Sequence, residues 1–140
     1  TFIRSAGFMS NVLSWADSIA SEGVLRTSTG EGKIAFIHPD DLAEVSTSAL
    51  VSRQYAGESL VVTGPEALSY GEMAARLGRA LGKAVRFESL SDEEAQASLG
   101  KGPYAAAIFD IWRAIREGRM SLVTDGVERV LGRRPCSFDR

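Results

Sequence analysis

Short apolar runs alternate with amphipathic segments along this chain, and glycine marks most of the junctions. Thr1 to Ser5 is β-branched and aromatic, as a strand prefers. Gly7 then provides a turn, and Phe8, Val12, Trp15, Ala16 and Ile19 recur at helical spacing until Gly23 ends the segment. Ile34 to Ile37 reads as a second strand. Pro39 suits a first helical position, with Asp40 and Asp41 in the first turn where the helix dipole favours anions. Leu42, Val45, Ala49 and Leu50 give that helix a face to bury.

The alternation then repeats. Ser59 to Thr63 reads as a strand and Gly64-Pro65 as a turn. Ser69-Tyr70-Gly71-Glu72 is a capping box, opening a helix through Met73, Leu77 and Leu81 that Gly82 closes. Val85 to Glu88 is a short strand, and Ser91-Asp92-Glu93-Glu94 is a second capping box. Tyr104 to Arg116 carries Ile108, Ile111, Trp112 and Ile115 on one helical face, and a last helix spans about Asp125 to Leu131. Strand-helix alternation predicts an α/β fold, a partial Rossmann-like layering of about four mainly parallel strands with flanking helices. Residues 1–140 are expected to form a single domain. So few strands leave sheet edges open, which favours pairing with another copy or with a complementing half.

Composition excludes several classes. A formal net charge of -2 gives no global field for nucleic acid or an anionic membrane surface. The basic C-terminal positions Arg129, Arg133, Arg134 and Arg140 read first as a solvated tail, second as an anion contact. One cysteine, Cys136, rules out an internal disulfide and a cysteine-rich metal site, so no metal is expected. No apolar run approaches the roughly 18 residues of a membrane helix, and Thr1-Phe2-Ile3-Arg4 does not open a signal peptide, so a cytoplasmic location is expected. The chain starts with Thr rather than Met, which fits either a processed start or a beginning that lies elsewhere.

Three stretches in order carry a resemblance: Arg4-Ser5-Ala6-Gly7-Phe8-Met9-Ser10-Asn11, Phe36-Ile37-His38-Pro39-Asp40-Asp41-Leu42-Ala43, and Leu60-Val61-Val62-Thr63-Gly64-Pro65. Together they resemble the C-terminal half of the NmrA-like atypical short-chain dehydrogenases/reductases, near their NAD(P)H:quinone and azoreductase-like members. The resemblance covers nearly the whole chain. No G-x-G-x-x-G turn precedes it, so the usual cradle for a dinucleotide pyrophosphate is missing from these residues. By the resemblance, Ala6, Gly7 and Phe8 approach the nicotinamide end of an NAD(P)H cofactor, and Met9, Asn11 and Trp15 face the substrate. Ser5 stands where the family has proline.

Plainer roles stand beside each of these. Ala6-Gly7 also reads as a simple turn, Phe8 and Met9 as core, and Asn11 as a decoration of the helix start. His38, the only histidine, is the catalytic candidate for acid-base work, but one structural hydrogen bond before its helix explains it as well. Asp40 and Asp41 point about 100° apart, so helix-dipole duty suits them better than paired acid-base work. Trp15, Phe109 and Trp112 line either a pocket for a flat ligand or a core. Tyr70 is followed four residues later by Ala74, so no Tyr-x-x-x-Lys dyad exists there.

The resemblance implies an NAD(P)-dependent oxidoreductase acting on a small flat acceptor such as a quinone. Two alternatives remain. One is a free-standing relative without nucleotide binding that binds a small molecule or steers a non-redox isomerisation or cyclisation. The other is a regulatory interaction module.

Overall fold

A computed structural model describes all of residues 1–140. In chain order come β1 (Phe2–Ser5), a 3-10 helix (Met9–Trp15), α1 (Ala16–Glu22), β2 (Val24–Thr27) and β3 (Lys33–Ile34). Next are α2 (Pro39–Val51), a second 3-10 helix (Arg53–Tyr55), β4 (Ser59–Val62), β5 (Leu68–Ser69) and α3 (Tyr70–Leu81). The remainder is β6 (Arg86–Ser89), α4 (Asp92–Leu99), α5 (Pro103–Arg116) and α6 (Gly126–Leu131). The result is α/β with Rossmann-like parallel pairs and flanking helices, as expected, although six short strands replace the anticipated four.

The chain divides into two compact units. The first comprises residues 1–12, 35–67 and 122–140. Here β1 and β4 run parallel, Ile3 beside Leu60 and Ser5 beside Val62, and Phe8 adds a parallel bridge to Ile37. Alternation sets the faces. Leu60 and Val62 point into a core with Ile37, Val45, Tyr55 and Val127, while Ile3, Leu42 and Val130 pack around it. On the opposite face of the pair, Phe2, Arg4, Ser59 and Val61 are all exposed. That is unusual for parallel strands, which are normally covered on both faces.

The second unit comprises residues 13–34 and 68–121. Its β2 and β6 are parallel and its β3 and β5 antiparallel. Both capping boxes form as the sequence predicts. The Ser69 hydroxyl accepts from the Glu72 amide while the Glu72 carboxylate accepts from the Ser69 amide, and Ser91 and Glu94 repeat the arrangement. Gly23 ends α1 in the left-handed conformation at φ 66°, which a side chain would strain.

Several expectations need correction. The helix foreseen from Phe8 opens as 3-10 and becomes α-helical only at Ala16. Ser10, Asn11 and Ser14, whose short polar side chains compete for backbone groups, occupy that opening. The strand foreseen over Ile34 to Ile37 is two pieces: Ile34 pairs with Leu68 in the second unit, whereas Ile37 pairs with Phe8 in the first. Strand β2 was not foreseen. Leu50 is 86% exposed and Ile111 is 42% exposed, so neither helps form a buried face.

Candidate functional site

In the first unit, the carboxyl end of β1 leads directly into Ala6, Gly7, Phe8 and Met9. Such strand ends are where open parallel sheets present ligand sites. Two hydrogen bonds fix this stretch: the Ile37 amide donates to the Gly7 carbonyl at 3.0 Å, and the Met9 amide donates to the Ile37 carbonyl at 2.9 Å. Ala6 and Gly7 are half-buried and present almost no side chain. Phe8 is 39% exposed, so it is not core, whereas Met9 is buried. The Asn11 amide donates to the Phe8 carbonyl at 3.0 Å, and Asn11 itself is exposed. The segment thus forms a rigid ledge with a small-residue floor and one aromatic ring at its edge.

Gly64 underlies this ledge, and its role was not foreseen beyond a turn. A Cβ at position 64 would lie 2.0 Å from the Phe36 carbonyl oxygen and 3.3 Å from the Met9 methyl carbon. Only glycine lets the chain after β4 press this closely on the segment that carries Ile37.

His38 lies at the start of α2 in the same unit. Its Nδ1 accepts from the Asp40 amide at 3.2 Å and lies 3.6 Å from an Asp40 carboxylate oxygen. The ring therefore caps α2, satisfying one of its free amides. With Nδ1 accepting, the neutral ring carries its proton on Nε2.

Asp41 differs from its neighbour and corrects the helix-dipole reading. It is fully buried, and one oxygen accepts from the Arg133 guanidinium at 2.7 Å. The other accepts from the Cys136 amide at 2.7 Å, and the Cys136 thiol donates to the oxygen shared with Arg133 at 3.3 Å. Burial pushes its carboxyl upward, but the Cys136 amide and the Arg133 guanidinium outweigh it and hold the group below the usual carboxylate range. The basic C-terminus is accordingly no solvated tail. Arg133 also bonds Glu44 at 2.8 Å, Arg129 pairs with Glu58, and Arg140 donates to the Cys136 sulfur.

Trp15 belongs to the second unit, where its ring packs against Tyr70 with centroids 5.2 Å apart and planes tilted by 45°. Burial pushes the Tyr70 phenol up to about 12, so it stays protonated at neutral pH. Tyr70 is buried and packs on Trp15, and Ala74 stands where a Tyr-x-x-x-Lys dyad would have its lysine. Of the residues singled out from sequence, Ala6, Gly7, Phe8, Met9, Asn11 and His38 lie in the first unit and Trp15 in the second. No group of three or more His, Cys, Asp or Glu side chains is arranged to hold a metal ion. No helix is long and apolar enough to cross a membrane.

No protein-family model matches the chain. Curated proteins do. A (4-alkanoyl-5-oxo-2,5-dihydrofuran-3-yl)methyl phosphate reductase of Streptomyces griseus is 38% identical over 136 residues, covering 95% of this chain and 48% of the reductase. An NAD(P)H azoreductase of Xenophilus azovorans is 34% identical over 142 residues, covering 99% of this chain and 50% of that enzyme. Among solved structures, an NADPH-dependent quinone oxidoreductase of Escherichia coli complexed with NADPH superposes with a TM-score of 0.88. It covers 97% of this chain and 50% of that protein at 22% identity, which establishes the fold. Its homologues are oxidoreductases of the NmrA-like and azoreductase type, and the chain spans about half the length of the curated relatives it matches.

Proposed function

We propose that this chain forms the acceptor-side half of an NAD(P)H-dependent oxidoreductase that reduces a small flat molecule such as a quinone. The observation that carries this reading is the Ala6-Gly7-Phe8-Met9 ledge at the carboxyl end of a parallel strand, in a chain that aligns almost end to end with reductases. Ala6 and Gly7 leave the main chain open to a flat ring, and the exposed Phe8 side chain offers it an apolar neighbour. Met9 is buried beneath the ledge with its methyl group beside Gly64. His38 caps α2 and retains an Nε2 proton that can be offered to an acceptor oxygen.

These residues fit the nicotinamide end of a dinucleotide, which when bound supplies the hydride. The pyrophosphate has no glycine-rich turn to sit on within the 140 residues, so backbone amides outside them are required. The bare face of the β1–β4 pair, with Phe2 71% exposed, supports a further covering layer. We assign that layer to a complementing half of the enzyme rather than to a second copy, and place the protein in the cytoplasm.

The test is NADPH binding by the protein purified at the length its cells produce, followed through nicotinamide fluorescence. Gly7→Val puts a branched side chain on the ledge, and the reading expects affinity to fall at least tenfold with the fold retained. Unchanged affinity in that variant, or no binding by the unmodified protein, would overturn it.

A further inference from the structure

We infer that the turn between α4 and α5 is a binding site for a small, flat, apolar molecule carrying one anionic group. A cavity of about 500 Å³ opens there, wholly within the second unit and within the size range of small-molecule sites. Leu99, Ala105 and Phe109 give it apolar walls, and the half-buried Phe109 ring suits a flat partner.

Two charged side chains also line it, and they are not equivalent. The Asp110 carboxylate is matched by the Arg113 guanidinium at 2.8 Å, one turn further along α5. Lys101 is exposed at the lip and has no ion-pair partner. The free charge of the cavity is thus positive. The opening of α5 lies in the same place: Gly102 caps the helix without a side-chain bond, and Pro103 follows at the first helical position. The amides of Tyr104 and Ala105 are left without a capping side chain at the positive end of a 14-residue helix, but the carboxyl end of α4 at Leu99 and Gly100 lines the same turn and offsets that field, so Lys101 carries the charge preference. An apolar wall with an unmatched cation at its rim selects a ring system bearing a carboxylate or similar anion. This inference does not depend on the reductase reading, since the cavity contains no part of the Ala6 to Met9 ledge.

The experiment titrates the full chain with 2-naphthoate, and separately with its uncharged alcohol analogue, following backbone amide resonances. We expect saturable shifts centred on Gly100, Gly102 and Ala105 with the anion, and at least tenfold weaker binding of the alcohol. Lys101→Gln should weaken naphthoate about tenfold while Lys101→Arg preserves it within about twofold. Ala106 is an exposed lining residue, so Ala106→Trp should fill the cavity and abolish the shifts without unfolding the chain. Absence of saturation, equal binding of the alcohol, or indifference to Lys101→Gln would overturn the inference. Loss of NADPH binding in the Gly7→Val variant has no bearing on it, so the two readings fail separately.

Discussion

Replacing Asp41 with alanine removes the acceptor that ties the C-terminal segment to the first turn of α2. The fully buried carboxylate takes bonds of 2.7 Å from both the Arg133 guanidinium and the Cys136 amide. Its loss strands the Cys136 amide, for which a penalty of about 1–3 kcal/mol is typical. Removing one partner of a buried ion pair typically costs about 3–5 kcal/mol. The lower end applies here, because Arg133 is partly exposed and keeps Glu44 at 2.8 Å. We therefore expect Asp41→Ala to lose about 3 kcal/mol. Asp41→Asn, which still offers an oxygen to the Cys136 amide, should lose about half as much. In urea unfolding followed by circular dichroism, the larger loss moves the midpoint down by roughly 1–3 M at unchanged slope. The pH dependence has a definite sign. Because the folded group titrates below the usual carboxylate range, its stabilisation is present above the unfolded value near about 4. It is lost as pH falls through the lower folded value. The gap between wild type and Asp41→Asn should therefore close in acid. A difference below about 0.5 kcal/mol at neutral pH, or a gap that widens in acid, would refute the reasoning.

Gly64→Ala drives a Cβ to 2.0 Å from the Phe36 carbonyl oxygen, so differential scanning calorimetry should show a loss of about 1–3 kcal/mol. Spectrophotometric titration should reveal one tyrosine ionising only at about pH 12, and Tyr70→Phe should delete that late phase. Ser69→Ala breaks the box at the start of α3 and should cost about 1 kcal/mol in urea unfolding. Ser69→Thr, which keeps a capping hydroxyl, should retain most of that stability.

Local signals were legible in the sequence and distant pairings were not. The capping boxes at Ser69 and Ser91, the proline opening α2 and the glycine ending α1 each act within a few residues, so spacing alone identifies them. Asp40 and Asp41 have the same chemistry and differ only by a rotation about the helix axis. Which one is buried depends on Cys136, 95 residues away. The apolar run from Ile34 to Ile37 looks continuous, yet the chain passes from one unit to the other inside it without a local marker. The ledge at Ala6 to Met9 was visible only through resemblance. A pattern of small residues followed by Phe-Met reads equally as turn and core, and pairing with Ile37 is what sets Phe8 at an exposed edge. Of the α4–α5 cavity the sequence marked only Phe109, and grouped it with Trp15 and Trp112, which do not line it; Lys101 stands out only once its neighbours are seen to leave it unmatched.

The most direct measurement of the central claim is quinone-dependent NADPH oxidation by the protein purified from its own cells, compared with its Phe8→Ala variant. The account predicts steady loss of nicotinamide absorbance that requires both substrates, with kcat/KM for the quinone reduced roughly tenfold in the variant, a loss of about 1.4 kcal/mol. No quinone-dependent oxidation by the unmodified protein, or a variant equal to it, would contradict the account.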